Sequence, residues 1–247
     1  MVYPTAPNRL SPRDVPGFLS RPRGAQQGEN DGEEGGEGGA DGEEEEEEEI
    51  DSWAWFRKDE ATGRYRFVRE GMETVAREMR GVWEKAAAGE EGDEVEAGKD
   101  AGREDGFVDG VIGFSQGGCM AAMLASAMEK DPKPREVDGD GKEHEGWVRA
   151  VREANGGRPL RFAVIYSGFY AAPEDLKWLY EPKIRTPTLH FLGSLDTVVE
   201  ESRSRGLVDR CEEPVVVVHP GGHYVPVSKE WAMPLAGFIR KCMETSE

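Results

Sequence analysis

The chain has 247 residues, 37% of them hydrophobic, and 50 acidic side chains against 31 basic ones give a formal net charge of −19. Fourteen of those acids lie between Glu29 and Asp51, where there is no base, and the rest of the sequence carries only −5. That mildly acidic remainder, about 200 residues, suffices for one full core, and it argues against nucleic acid as a partner because phosphate binding needs a basic face.

No stretch reaches the roughly 18 to 20 apolar residues that a bilayer span requires. The start, Met1-Val2-Tyr3-Pro4, lacks the basic-then-apolar pattern of a signal peptide. The expectation is a soluble cytoplasmic protein, with the nucleus also open to it. Cys119, Cys211 and Cys242 are odd in number and have no C-x-x-C spacing, so reduced and mostly buried thiols are expected, with no disulfide framework and no zinc site.

In chain order, Pro4, Pro7, Pro12, Pro16 and Pro22 make the beginning extended and loop-like. The Gly/Glu tract of 24–51 follows. It offers almost nothing apolar to bury, and its carboxylates repel one another, so it reads as a disordered acidic insert, a solvated linker before a site for a basic partner. Order resumes at Trp53-Ala54-Trp55-Phe56. Val68, Met72, Val75, Met79 and Val82 then recur at steps of three and four, which predicts a helix over 67–87 with one buried stripe. Residues 89–106 read as a polar loop insertion.

Val108-Asp109-Gly110-Val111-Ile112-Gly113 predicts a strand, with a small-residue helix over 119–128 close behind it. Residues 129–158 read as a second polar loop insertion, able to act as a lid. Strands follow at Arg161-Phe162-Ala163-Val164-Ile165-Tyr166, Thr188-Leu189-His190-Phe191-Leu192 and Pro214-Val215-Val216-Val217-Val218, with helices over 199–210 and 228–243. Near-continuous apolar strands alternating with helices indicate a single α/β domain over 1–247, its mostly parallel sheet covered on both faces.

Gly113-Phe114-Ser115-Gln116-Gly117 fits the nucleophile elbow, G-x-S-x-G, and it lies between a strand and a helix as that motif requires. A serine hydroxyl is a weak nucleophile at neutral pH, so Ser115 needs a base and a carboxylate to orient that base. In the chain order Ser, Asp, His, the acid follows a later strand and the histidine follows the last. Asp196 and His223 hold those positions. His219 is the rival base, closer to its strand end, but Pro220-Gly221-Gly222 can carry His223 back over the sheet edge. His190 reads as a packed core histidine and His144 as solvated. Glu200 and Glu201 open a helix, where they complement its dipole, and Cys119 reads as a small buried residue.

At these residues the chain resembles the FSH-type serine hydrolases, an α/β-hydrolase family that includes homologues of the ovarian cancer gene 2 protein and fungal esterases and thioesterases. The match runs from Tyr3-Pro4-Thr5-Ala6-Pro7 through Trp53-Ala54-Trp55-Phe56, the Ser115 elbow, Tyr166-Ser167-Gly168-Phe169 and Gly193-Ser194-Leu195-Asp196, to His219-Pro220-Gly221-Gly222-His223-Tyr224-Val225-Pro226. The resemblance implies an α/β-hydrolase-like three-layer sandwich, with Ser115 as nucleophile, Asp196 as acid and His223 as base. It also implies hydrolysis of a small-molecule carboxylic ester or acyl thioester without cofactor or metal. The acyl group is expected near Phe114, Phe169, Tyr170 and Tyr224.

Family members resemble one another in beginning with a strand that ends in a Leu-His-Gly type segment, followed by a helix and a second strand. This chain starts near the end of that second strand. The resemblance therefore implies an N-terminally truncated form of the fold, with an edge beside the Ser115 strand. The backbone N–H of Gln116 would remain as one oxyanion donor without the donor of the first loop. An intact triad favours the hydrolase; the truncation favours a catalytically impaired interaction protein of the same fold.

Overall fold

The computed structural model describes residues 1–11, 51–88, 106–129 and 141–244. Nearly all of 24–51 and 89–106 lies outside the described residues. Two short antiparallel pairs come first: β1 (Asn8–Arg9) with β2 (Trp53–Ala54), and β3 (Arg57–Lys58) with β4 (Tyr65–Arg66). Asn8 Nδ2 donates to the carbonyl of Ala54 at 3.0 Å and Leu10 N–H to that of Ser52 at 2.8 Å, which joins the first residues to the segment entering the domain.

α1 (Val68–Ala88) buries Val68, Met72, Ala76 and Met79 along the stripe that their spacing sets. Four parallel strands make the main sheet, in the order β5 (Gly110–Phe114), β6 (Phe162–Tyr166), β7 (Thr188–Gly193) and β8 (Val215–His219). β6 and β7 are buried along their whole length, as central strands covered on both faces must be.

The period of two in β6 divides the core. Ala163 and Ile165 face a cluster built with α1, α2 (Gln116–Ala127), α3 (Gly141–Ala154) and Leu207 of α4 (Glu201–Val208). Phe162, Val164 and Tyr166 face the other way, against Trp231, Leu235, Phe238 and Ile239 of α5 (Lys229–Glu244). Helix, sheet, helix is the three-layer arrangement expected of an α/β-hydrolase. Among the described residues β5 is an edge strand, and its Ile112 is 47% exposed.

Two expectations are corrected here. Within 129–158, the described part is not a polar loop: Gly141–Ala154 is a 14-residue helix. Its Trp147, Val148, Val151 and Ala154 are buried in the core with α1 and α2, so it is a wall of the domain and not a lid. The spacing of one, three and three is helical, and the surrounding Gly, Asp and Lys residues obscured it. His144 is likewise not solvated. Its side chain is 14% exposed, its Nδ1 accepts from Trp147 Nε1 at 3.2 Å, and its Nε2 lies 3.6 Å from Asp175 Oδ2. That carboxylate stands on the 3-10 helix Glu174–Leu179, which the helical turn of α3 brings within reach.

His190, 2% exposed on β7, has a buried Nε2 without a hydrogen-bond partner. Burial pushes its pKa from 6.5 down to about 4, because a charged imidazole in an apolar sheet loses its hydration. The unfolded chain then binds more protons than the folded one between those values, so stability should fall as pH drops through the window, by up to about 3 kcal/mol. His219, also pushed down by burial, acts in the same direction. Urea unfolding should show a falling midpoint from about pH 6.5 to pH 4.5, and His190→Phe should flatten that fall. A wild-type slope retained in the variant would contradict the assignment.

Candidate active site

β5 delivers Ser115 into α2 through one residue with left-handed backbone, φ 53° and ψ −119°. Such a conformation costs a residue with a Cβ about 1 to 3 kcal/mol and needs surroundings that hold it. Here its amide donates to the Tyr166 carbonyl at 2.8 Å, and its carbonyl accepts from Cys119 N–H at 3.1 Å. The chain reverses so tightly that a Cβ on Gly113 would stand 2.1 Å from the Gly117 carbonyl oxygen. Ser115 occupies the N-cap position of α2, yet its side chain makes no capping bond. Its hydroxyl is therefore available to another partner.

That partner is His223, whose Nε2 lies 2.9 Å from Ser115 Oγ. On the other side of the ring, Nδ1 lies 2.8 Å from Asp196 Oδ2. A buried carboxylate only accepts, so Nδ1 carries the proton and the Nε2 lone pair faces the serine hydroxyl. Two loops bring these groups together from the ends of β7 and β8. Ser194 N–H donates to the His219 carbonyl at 2.9 Å and Leu195 N–H to that of Gly221 at 3.0 Å. Gly193 permits this approach, since a Cβ there would meet the carbonyl oxygens of Gly221 and Gly222, each at 2.6 Å.

Asp196 is held as firmly as the serine. Its Oδ1 accepts the N–H groups of Val198 and Val199, both at 2.9 Å, and its side chain is 2% exposed. Burial pushes its pKa up, but the bonds from His223, Val199 and Val198, helped by the nearby Ser167 side chain, outweigh that and leave the carboxyl below its ordinary value. The group stays ionised near neutral pH.

Gln116 begins α2, and an N–H in the first helical turn has no acceptor within the helix, so it can face an oxyanion beside Ser115. Its side chain has a second task that the sequence did not disclose. Oε1 accepts Trp55 N–H at 2.7 Å and Nε2 donates to the Phe56 carbonyl at 2.9 Å. Both backbone groups of the Trp55–Phe56 segment are thus pinned beside the elbow.

The four aromatic residues expected around the acyl group have separate places. Phe114, 37% exposed, packs on the His223 ring at 4.7 Å between centroids. Phe169 lies under the Arg203 guanidinium, whereas Tyr170 is occupied by packing with Arg210 and Tyr180. Tyr224 is half exposed beside His219.

The rival residues lie elsewhere. His219 is 1% exposed, and its Nδ1 accepts the Gly221 N–H within its own loop. Glu201 pairs with Arg205 one turn along α4. Cys119 is fully buried and burial raises its thiol pKa. All three cysteines are buried thiols, and Cys211 Sγ lies 3.4 Å from the Leu207 carbonyl. Among the described residues no group of three His, Cys, Asp or Glu side chains is placed to hold a metal ion, and no helix is long and apolar enough to cross a membrane.

Residues 1–235 match the family described as Serine hydrolase (FSH1). The chain belongs to this family. A relative in Saccharomyces cerevisiae, Family of serine hydrolases 2, is 28% identical over 98% of this chain and 80% of its own length. Esterase OVCA2 of Danio rerio is 31% identical over 60% of this chain. That match takes in 56% of the Danio rerio protein, and matches to six further curated relatives take in between 26% and 46% of their own length. Among solved structures, Zea mays acyl-protein thioesterase 2 aligns with a TM-score of 0.44 at 17% identity, over 77% of this chain and 72% of that one.

The elbow geometry of this FSH1 family chain can be tested at its glycines. Gly113→Ala would set the new methyl against backbone atoms of Gly117 and Gly118, at 2.1 to 2.7 Å, with no side chain able to turn aside. It should cost about 3 kcal/mol or more, read as a lower thermal midpoint. Gly146, in α3, has open space where its Cβ would be, so Gly146→Ala should instead stabilise the chain by about 0.5 to 1 kcal/mol. Equal effects from the two would refute the close approach.

Proposed function

We propose that this chain is a serine hydrolase that cleaves a carboxylic ester or thioester through an acyl-enzyme on Ser115. The observation that carries the reading is the continuous relay from Ser115 Oγ through His223 to Asp196, at 2.9 and 2.8 Å. Membership of the FSH1 family supports it independently.

His223 Nε2 takes the hydroxyl proton as Ser115 Oγ bonds to the carbonyl carbon of the substrate. The carbonyl oxygen becomes an oxyanion, and the Gln116 N–H donates to it. When the tetrahedral intermediate collapses, the carbon–oxygen or carbon–sulfur bond breaks and His223 passes its proton to the leaving alcohol or thiol. Water then enters. It gives a proton to His223 as its oxygen attacks the acyl carbon, and release of the carboxylic acid restores the Ser115 hydroxyl. Throughout, Asp196 keeps the imidazole in the required tautomer and balances the charge that forms on it. No cofactor is needed for this sequence of steps.

A fluorophosphonate probe should label the wild-type chain, and Ser115→Ala should abolish both labelling and hydrolysis of an aryl ester or acyl thioester. Labelling that persists in the variant, or a folded wild type that neither labels nor hydrolyses, would overturn the reading in favour of an interaction protein. Asp196→Asn should leave the chain folded while lowering kcat by a factor on the order of 10⁴, because an amide can hold the wrong tautomer of His223. A fall of less than about tenfold would remove Asp196 from the proposed role.

A further inference from the structure

Ser167 follows β6 directly, between the strand that carries Ser115 and the strand that leads to Asp196. Its backbone is left-handed, φ 45°, although it is not glycine. Its amide donates to the Phe191 carbonyl of β7 at 2.9 Å, which holds it at the carboxyl edge of the sheet. The residue is 2% exposed, and its Oγ is buried without a hydrogen-bond partner within ordinary length. A buried hydroxyl without a partner costs about 1 to 3 kcal/mol, and a strained backbone position adds to that. Two unfavourable features at one residue beside the site call for a reason.

Asp196 supplies one. An ionised carboxylate has about four acceptor positions. The N–H groups of Val198 and Val199 and the ring N–H of His223 fill three. With the side chain 2% exposed, water has little access to the fourth. Ser167 carries a buried hydroxyl without a partner among the described residues, and its side chain is among the groups acting on the Asp196 carboxylate. Catalytic hydrogen bonds in a free enzyme are commonly long and tighten when substrate binds.

We propose that Ser167 is a positioning residue for the hydrolysis: its hydroxyl donates to Asp196 during turnover, completing the set of donors around the carboxylate and fixing the angle at which that group holds His223. The proposal rests on the reading of Ser115, His223 and Asp196 given above. With the Ser167 bond made, the carboxylate is a weaker base and holds the imidazolium less strongly. Without it, the imidazolium is held more strongly.

The test is the pH profile of kcat/KM for an aryl ester, with the full chain and the variants Ser167→Ala and Ser167→Gly. Glycine relieves the left-handed backbone that alanine keeps, so Ser167→Gly should have the higher Tm of the two. Both lack the hydroxyl, and both should move the acidic limb upward by about half a pH unit, a threefold loss of rate on that limb. In an Asp196→Asn background the same changes should leave the profile of the residual activity where it is. A merely structural Ser167 would let the rates follow Tm, with the limb unmoved in both variants, and that result overturns the inference. If the wild type hydrolyses the ester in a Ser115-dependent way and the limb stays in place, the inference alone fails. If the wild type has no Ser115-dependent activity, the inference falls together with the reading beneath it.

Discussion

The amide of Ser115 donates to the carbonyl of Tyr166, and much of the site depends on that bond between neighbouring parallel strands. It holds the left-handed turn in which β5 becomes α2, at the carboxyl edge of the sheet. A turn this tight leaves no room for a side chain at Gly113. Strain at one residue is sustained because the strands and α2 are packed around it. Small side chains make that packing possible: α2 is buried from Gly118 through Ala127, and a Cβ on Gly168 would stand 3.2 Å from the backbone of Gly118.

The rest of the site consists of loops that meet because their strands are neighbours. β7 and β8 pair in register, so the chain leaving each emerges at the same edge. Hydrogen bonds then tie the Asp196 loop to the one carrying Gly221 and His223. Asp196, which accepts from His223, is itself held by the backbone N–H groups of Val198 and Val199. Gln116 extends this order outward by clamping Trp55 and Phe56. Segments as distant in sequence as Trp55, Ser115 and His223 are therefore held together at one edge of the sheet.

Much of this was legible in the residues because the signals were local. The stripe Val68, Met72, Val75 and Met79 marks a helix by spacing alone, and the apolar runs at 162–166 and 188–193 have the length of buried strands. Gly113-Phe114-Ser115-Gln116-Gly117 declared itself by strand before and helix after. Other features were illegible for a common reason. Trp147, Val148, Val151 and Ala154 carried a helical period, but they sat among residues typical of loops, and only packing against α1 shows that this stretch is part of the core. His144 looked solvated until α3 turned it toward Asp175. Ser167 carries no local signal for its left-handed backbone or its buried hydroxyl, which exist only in the fold.

The sequence by itself determined the order of the main elements, the parallel α/β class and the strand–turn–helix around Ser115, because periodicity and turn-forming glycines are local properties. It could rank His223 above His219 only by the length of the Pro220-Gly221-Gly222 loop. What surrounds the two histidines is a matter of tertiary structure alone: His219 is closed in beside Tyr224 and Trp231, and His223 lies between Ser115 and Asp196. Distance between residues 108 positions apart is a product of strand pairing and loop closure. No local pattern encodes it.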